Sequence, residues 1–395
     1  MSLLNERGSQ PVEMKAEGRP LRIVMVDSHA SVHRGGAVQC ASLAVALARR
    51  GHRVTCIFDG PAHRPLDGAW FENLQNAGVQ VLRLGLRNPA GMMRLRRLLS
   101  EDPPDILHTH KNRALFFAYF ATLGMHRPAW AANRGTVYPL SRNRLAHFIH
   151  RRHVQHICAV SHAVRDALLA DGITGEKVDV VYGSFDPERF HPGISGDAAR
   201  RAWQVPSQAP LVGLIGSLKT PKKGHPVLIE AAALLKERRP NVHFMLIGEG
   251  DPGPLQSTAS SLGVADRVIF TGFIEDIPSA LAALDIVVCA SLRGEGLTGA
   301  LREALAMARP VISSDVAGNR ELVINQRTGL LVPPGDAAAL AQAIDRMLQD
   351  GELARDCAAK GRARVLDLCT DARRADHVEK IYHELLSGPS GWQCC

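Results

Sequence analysis

One pattern decides the architecture of this chain: short, continuous runs of Val, Ile and Leu alternate with longer stretches of helical period, and the alternation restarts halfway. "LRIVMVDS", "HRVTCIF", "VQVLRL", "DILHTH", "PAWAAN", "HICAVS" and "KVDVVYG" fill the first half, and "LVGLIGS", "VHFMLIGEG", "RVIFTGF", "DIVVCAS" and "VISSD" the second. A run apolar at successive positions is a strand buried on both faces, as in parallel sheets whose crossover helices cover both sides. The expected fold class is therefore α/β, with two Rossmann-like doubly wound domains facing a cleft. The 395 residues suit two cores better than one. The expected division is a disordered leader at 1–20, a first domain at 21–190, a Gly/Pro/Ser-rich linker at 191–208, a second domain at 209–370 and a last helix at 371–388 returning to the first domain.

Composition excludes more than it assigns. No run approaches the roughly 18 apolar residues of a spanning helix, and the charged start has no apolar stretch of a signal peptide. Six of the eight cysteines are isolated and Cys394 and Cys395 adjoin at the tail, with no metal-ligand spacing, so reduced thiols in a cytoplasmic protein are expected. The net charge of +8 is uneven: Arg83 to His153 holds thirteen Arg/Lys against three Asp/Glu. Such a bias implies an anionic partner in the first domain, such as phosphate groups or a membrane surface. Few aromatics accompany it, so nucleic acid is not expected. The helix "AGMMRLRRLLS" mixes Arg94, Arg96 and Arg97 with Met92, Met93, Leu95, Leu98 and Leu99, a pattern able to lie on an anionic bilayer.

Chemistry concentrates in "RGEGLTGALREALA", where Glu295 and Glu303 stand eight positions apart around Gly294, Gly296 and Gly299. The stretch matches GxGxxG, but it comes late in its domain, and Glu295 would repel a pyrophosphate placed beside it. The alternative uses both carboxylates. Amides of Gly296, Leu297, Thr298 and Gly299 at a helix start suit a diphosphate. Glu303, one turn on, suits ribose hydroxyls, and Glu295 a sugar on the far side.

This element resembles the E-x7-E motif of the retaining glycosyltransferases of family 4, which have the GT-B fold. "HRGGA" with Gly35 and Gly36, "PDILHTH", "AVSHAVRDALLADGI", "LIGSLKTPKKG", "LIGEG" with Gly248 and Gly250, and "RPVISSDVAGNRELV" agree in order and spacing over about residues 21 to 385. The resemblance implies transfer of a sugar from a nucleotide diphosphate, most simply UDP, to a hydroxyl of an anionic acceptor that is lipid-linked or part of a lipopolysaccharide core. It implies the donor in the second domain and the acceptor in the first. The sequence has no DxD to hold a metal on the diphosphate, so no metal or other cofactor is expected, and the charge bias points to a cytoplasmic protein peripheral to the membrane. Donor contacts fall on Ser217, Lys219, Lys223, Phe273 and the glycine loops, and catalytic roles on Glu295, His108, His110 and Arg134. Ser217 stands where the family has Arg, Asn319 where it has Gly, and Arg134 where it often has His. His108 and His110, at a strand end, are expected on opposite faces with one toward the cleft. Glu321 opens a helix and is a weaker ligand candidate. A nucleotide-sugar epimerase or hydrolase, or a non-catalytic nucleotide-sugar binder, would use the same fold.

Overall fold

The computed structural model describes residues 19–32, 35–61, 69–206 and 208–387. The expected leader lies almost wholly outside these, as do His33, Arg34 and the two tail cysteines. The first domain carries strands β1 (Arg22–Asp27), β2 (Arg53–Asp59), β3 (Gln80–Leu84), β4 (Ile106–His110), β5 (Ala129–Arg134), β6 (His156–Ala159) and β7 (Val178–Val180). The second carries β8 (Leu211–Ile215), β9 (His243–Ile247), β10 (Val268–Gly272), β11 (Ile286–Cys289), β12 (Val311–Ser314) and β13 (Leu330–Val332). Both sheets are parallel throughout, ordered β3-β2-β1-β4-β5-β6-β7 and β10-β9-β8-β11-β12-β13.

The continuous apolar runs are explained by helices on both faces. Along β1, Val24 and Val26 enter one core cluster while Ile23 and Met25 enter another on the opposite side. The second sheet repeats this, with Val212 and Leu214 on one face and Leu211 and Ile215 on the other.

Strand order also locates the clefts. The chain leaves β1 toward β2 on one side and leaves β4 toward β5 on the other, although β1 and β4 are neighbours. Helices then diverge, and a crevice opens beyond the carboxyl ends of the two strands, where α/β sheets bind ligands. The second sheet has its equivalent between β8 and β11.

The linker region is built into the second domain. Phe185 and Phe190 already join its core, and the short helix Asp197–Ala202 is held by Arg200, whose Nη2 donates to Asp285 at 2.6 Å. Where the chain crosses back, the Phe185 N–H donates to the Cys369 carbonyl at 2.9 Å and the Asp371 N–H to the Phe185 carbonyl at 3.1 Å. The two crossings thus run side by side. The last helix, Asp371–Ser387, packs on the helix Gly35–Arg49, placing Val378, Ile381 and Tyr382 in the first domain's core. No helix among the described residues is long and apolar enough to cross a membrane.

Candidate active site

In the second domain, the turn after β8 and the loop after β11 face each other across the β8/β11 crevice. Gly224 has φ +75° and its Cα lies against the loop: a Cβ there would sit 1.9 Å from the Ala290 carbonyl oxygen. That close approach lets the preceding turn, Pro221–Lys223, reach the other loop. Lys223 Nζ lies 3.0 Å from Glu295 Oε1, with Lys222 Nζ 3.8 Å from the same atom. Ser291 Oγ approaches that oxygen at 3.5 Å. Lys219 turns away to Glu249, at 3.1 Å. Ser217 Oγ donates to the Glu249 carbonyl at 3.3 Å, so the position lacking the family's Arg braces the β8 and β9 loops. Gly248 belongs to that brace, since a Cβ would fall 2.1 Å from the Gly216 carbonyl oxygen. A Cβ on Gly250 would lie 2.7 Å from Leu218 Cβ, and Phe273, beyond β10, is exposed at the same sheet edge.

The helix Gly299–Ala306 begins directly after the glutamate loop. Asn319 closes this turn: its Oδ1 accepts from the Thr298 N–H at 3.3 Å while its Nδ2 donates to Ser313 Oγ at 3.0 Å. Thr298 is buried, and Leu297 packs on the second domain's core. Glu303 sits one turn into the helix, half-buried, and its carboxylate has no hydrogen bond or ion pair recorded among the described residues. Burial pushes its carboxyl above the usual range, against the pull of Arg302 and Arg189.

The glutamate loop also touches the first domain. A Cβ on Gly296 would lie 2.5 Å from the Gly135 carbonyl oxygen, and one on Gly294, at φ +75°, would lie 2.2 Å from Tyr138 Oη. Arg134 supports this contact from below. Its guanidinium is buried and donates to the Tyr138 carbonyl, so it holds the loop and does not open to the cleft as a substitute for His. Glu321 spans the same seam. Its carboxylate accepts from the His162 and Ala163 N–H groups at 2.9 Å each and from Tyr182 Oη at 2.9 Å, capping the first-domain helix His162–Ala170.

At the first domain's β1/β4 crevice the structure assembles a group that the sequence reading missed. Asp27, paired in register with His110, ends β1. Its Oδ1 accepts from the His29 N–H at 2.8 Å and from His29 Nδ1 at 2.5 Å. His29 Nε2 meets the Lys111 ammonium. An ammonium only donates, so Nε2 accepts and Nδ1 carries the hydrogen. Lys111 is exposed and holds φ +72°, a left-handed conformation that a non-glycine residue seldom adopts without need. Gly36 must be small, because a Cβ would lie 2.8 Å from His29 Cε1, whereas Gly35 has open space. The signal was "VDSHA", an acid and a histidine two residues apart at a strand end.

His108 and His110 are corrected. Residues two apart on a strand share a face, and the rings stack with centroids 4.6 Å apart. Both are buried. His108 Nδ1 bonds Tyr382 Oη at 2.6 Å, and burial pulls its pKa to about 3. His110 is lowered well below the usual value for the same reason. With Asp27 and Cys40, His110 forms the one grouping of metal-ligand spacing among the described residues, donor atoms within 4.8 Å, in the core beneath the crevice.

Two family profiles cover most of this framework: "Glycosyltransferase Family 4" matches residues 33–189 and "Glycosyl transferases group 1" residues 209–350. The chain belongs to the family 4 glycosyltransferases. Among the chain's relatives, the putative glycosyltransferase EpsD of Bacillus subtilis is 36% identical over 40% of the chain, which spans only 42% of EpsD's length. The phosphatidyl-myo-inositol mannosyltransferase of Mycolicibacterium smegmatis is 27% identical over 82% of the chain and 83% of the relative. The structure of Anabaena HepE in complex with UDP matches with TM-score 0.79 over 92% of the chain and 100% of that chain, at 22% identity. The two parallel sheets are those of a GT-B glycosyltransferase.

Proposed function

We propose that this family 4 glycosyltransferase moves a sugar from a UDP-sugar to an acceptor hydroxyl, with retention at the anomeric carbon. The observation that carries the reading is the Lys223–Glu295 pair at 3.0 Å, set at the second domain's switch point against the first domain's Gly135 loop. In this reading the diphosphate draws Lys223 off the carboxylate and lies on the Gly296 to Gly299 amides and helix start. Glu295 then accepts from hydroxyls of the sugar, and Glu303 from the ribose. Gly248 and Gly250 let the backbone approach the phosphates, Lys219 adds positive charge, and Phe273 offers its exposed ring to the nucleotide. HepE's complex with UDP supports the choice of nucleotide.

The acceptor lies across the cleft, with its hydroxyl at His29 Nε2 and Lys111, above Gly35 and Gly36. Its oxygen bonds to the anomeric carbon as the bond to the diphosphate breaks, and its proton leaves on the departing phosphate oxygen. Lysines and amides stabilise the charge that develops there. Closure of the domains keeps water from competing. The basic surroundings suit a phosphate-bearing or lipid-linked acceptor.

The test is incubation with a panel of nucleotide sugars, with and without glycan and lipid acceptors, measuring free UDP and the product's anomeric configuration by NMR. Acceptor-dependent UDP release with an unchanged anomer is expected. Equal release without acceptor would make the protein a hydrolase, and tight binding without release a binding module.

A further inference from the structure

One buried side chain beside the donor loop takes no part in the transfer as described. Arg302 lies three residues past the start of the helix Gly299–Ala306 and is only 3% exposed. Its Nε has no hydrogen-bond partner, and no carboxylate pairs with its guanidinium among the described residues. An arginine cannot shed its charge by losing a proton, so burying it unpaired costs the fold stability.

Its surroundings do not supply a counterion. Arg374, also buried, donates through Nη1 to the Gln39 carbonyl at 2.6 Å and to Gln39 Oε1 at 3.2 Å. Gln39 Oε1 accepts from the Ser184 N–H as well, at 2.6 Å, so both of its lone pairs are taken. Glu303 and Asp371 stand close enough to feel the charge of Arg302, but burial pushes both carboxyls above the usual range. Arg302 is left as an unmatched cation.

Its position points to a ligand. Side chains on a helix lean back toward the helix start. Here Nη2 lies 3.6 Å from the point where a Cβ on Gly299 would stand, and Glu303 Oε1 lies 3.9 Å from that point. The guanidinium is therefore level with the free amides of the first turn, where the helix dipole is positive too. On its other side, a Cβ on Gly183 would lie 2.8 Å from Arg302 Nη1 and 2.9 Å from Gln39 Oε1. Gln39 is one turn into the helix that starts at Gly35. The guanidinium thus sits in the floor of the cleft, between the first turns of one helix from each domain.

A buried guanidinium beside a helix start, with no anion to balance it, suits an oxyanion. We propose that Arg302 binds the terminal phosphate of the nucleotide diphosphate, supplying from the helix the charge that Ser217 lacks on the β8 loop. Lys223 holds the diphosphate from one side as a point charge, and Arg302 from the other as a planar fork. The bound phosphate offsets the cost that the unpaired charge imposes on the empty site. This inference rests on the donor reading.

Calorimetry with UDP and UMP tests it on wild type, Arg302→Met and Arg302→Lys. Wild type should prefer UDP. Arg302→Met should raise the Kd for UDP about tenfold or more and leave that for UMP unchanged, because the lost bonds are to the terminal phosphate. Arg302→Lys should fall between the two, since an ammonium restores the charge without the fork. Without ligand, Arg302→Met should melt no lower than wild type, because it removes an unpaired buried charge. A UDP affinity unchanged in Arg302→Met overturns the inference. So do equal losses for UDP and UMP with lowered melting temperatures in both variants, which would make Arg302 a structural tie at the hinge. A wild type that binds neither nucleotide defeats the donor reading itself, and this inference with it.

Discussion

Lys223 and Glu295 hold each other at 3.0 Å across the β8/β11 crevice, although the proposed reaction sends one to phosphate and the other to sugar. The pair keeps both groups in place until the donor separates them. Lys223→Ala should raise the Kd for UDP about tenfold or more, since hydrogen bonds to charged groups contribute roughly 1.5–3 kcal/mol. Glu295→Ala should weaken UDP-sugar binding and slightly tighten bare UDP, because it frees Lys223. Calorimetry of both variants and the double variant checks this. Equal losses for UDP and UDP-sugar in Glu295→Ala would refute the division of roles.

Glu303 is a carboxylate whose burial favours its neutral form. Its folded pKa lies above the unfolded value, so the ionised side chain destabilises the fold at neutral pH, and the penalty disappears as pH falls through the ordinary carboxyl range. Glu303→Gln should therefore raise stability by about 1 kcal/mol near pH 7, roughly 2–4 °C in Tm. The gain should vanish below about pH 4. The same change should weaken UDP binding. Thermal scans across pH, with calorimetry at neutral pH, read both effects, and a variant that is no more stable near pH 7 would contradict the first.

Glu321 closes the seam between the domains. Glu321→Ala leaves two helix N–H groups and Tyr182 Oη without their partner. Each lost bond to a charged acceptor contributes about 1.5–3 kcal/mol when buried, less at a solvated seam. Small-angle scattering should show a larger radius of gyration, and KM for the donor should rise, with kcat less affected. An unchanged scattering profile would remove Glu321 from the clasp.

Lys111 separates function from backbone comfort. At φ +72° glycine is favoured, so Lys111→Gly should leave stability unchanged or raise it by about 0.5–1 kcal/mol. Transfer should nevertheless fall, on the order of a hundredfold, as it should in His29→Ala, with UDP affinity intact in both. Activity near wild type in Lys111→Gly would reduce the strained lysine to a turn.

The sequence by itself determined what depends on near neighbours. The uninterrupted apolar runs and their alternation with helices specify two parallel sheets, because burial on both faces leaves that pattern in every strand. The glutamate loop was legible for the same reason: Glu295, three glycines and Glu303 form one local unit, a turn running into a helix. Tertiary structure decided whatever needed two distant segments. Asp27 and His29 meet Lys111 only because strand order sets β1 beside β4. Glu321 caps a helix 159 residues away in sequence, and Asn319 serves the turn at Thr298 instead of leaving a glycine's space. His108 and His110 were misplaced by a miscount of the pleat, but the burial of His108 under Tyr382 depends on the last helix crossing back to the first domain. The arginine-rich helix looked like the membrane face because its pattern is amphipathic. Amphipathicity states that one side is buried, and only the packing decides against what: here Leu95 and Leu99 face the protein's own core, while Met93 stays in solvent.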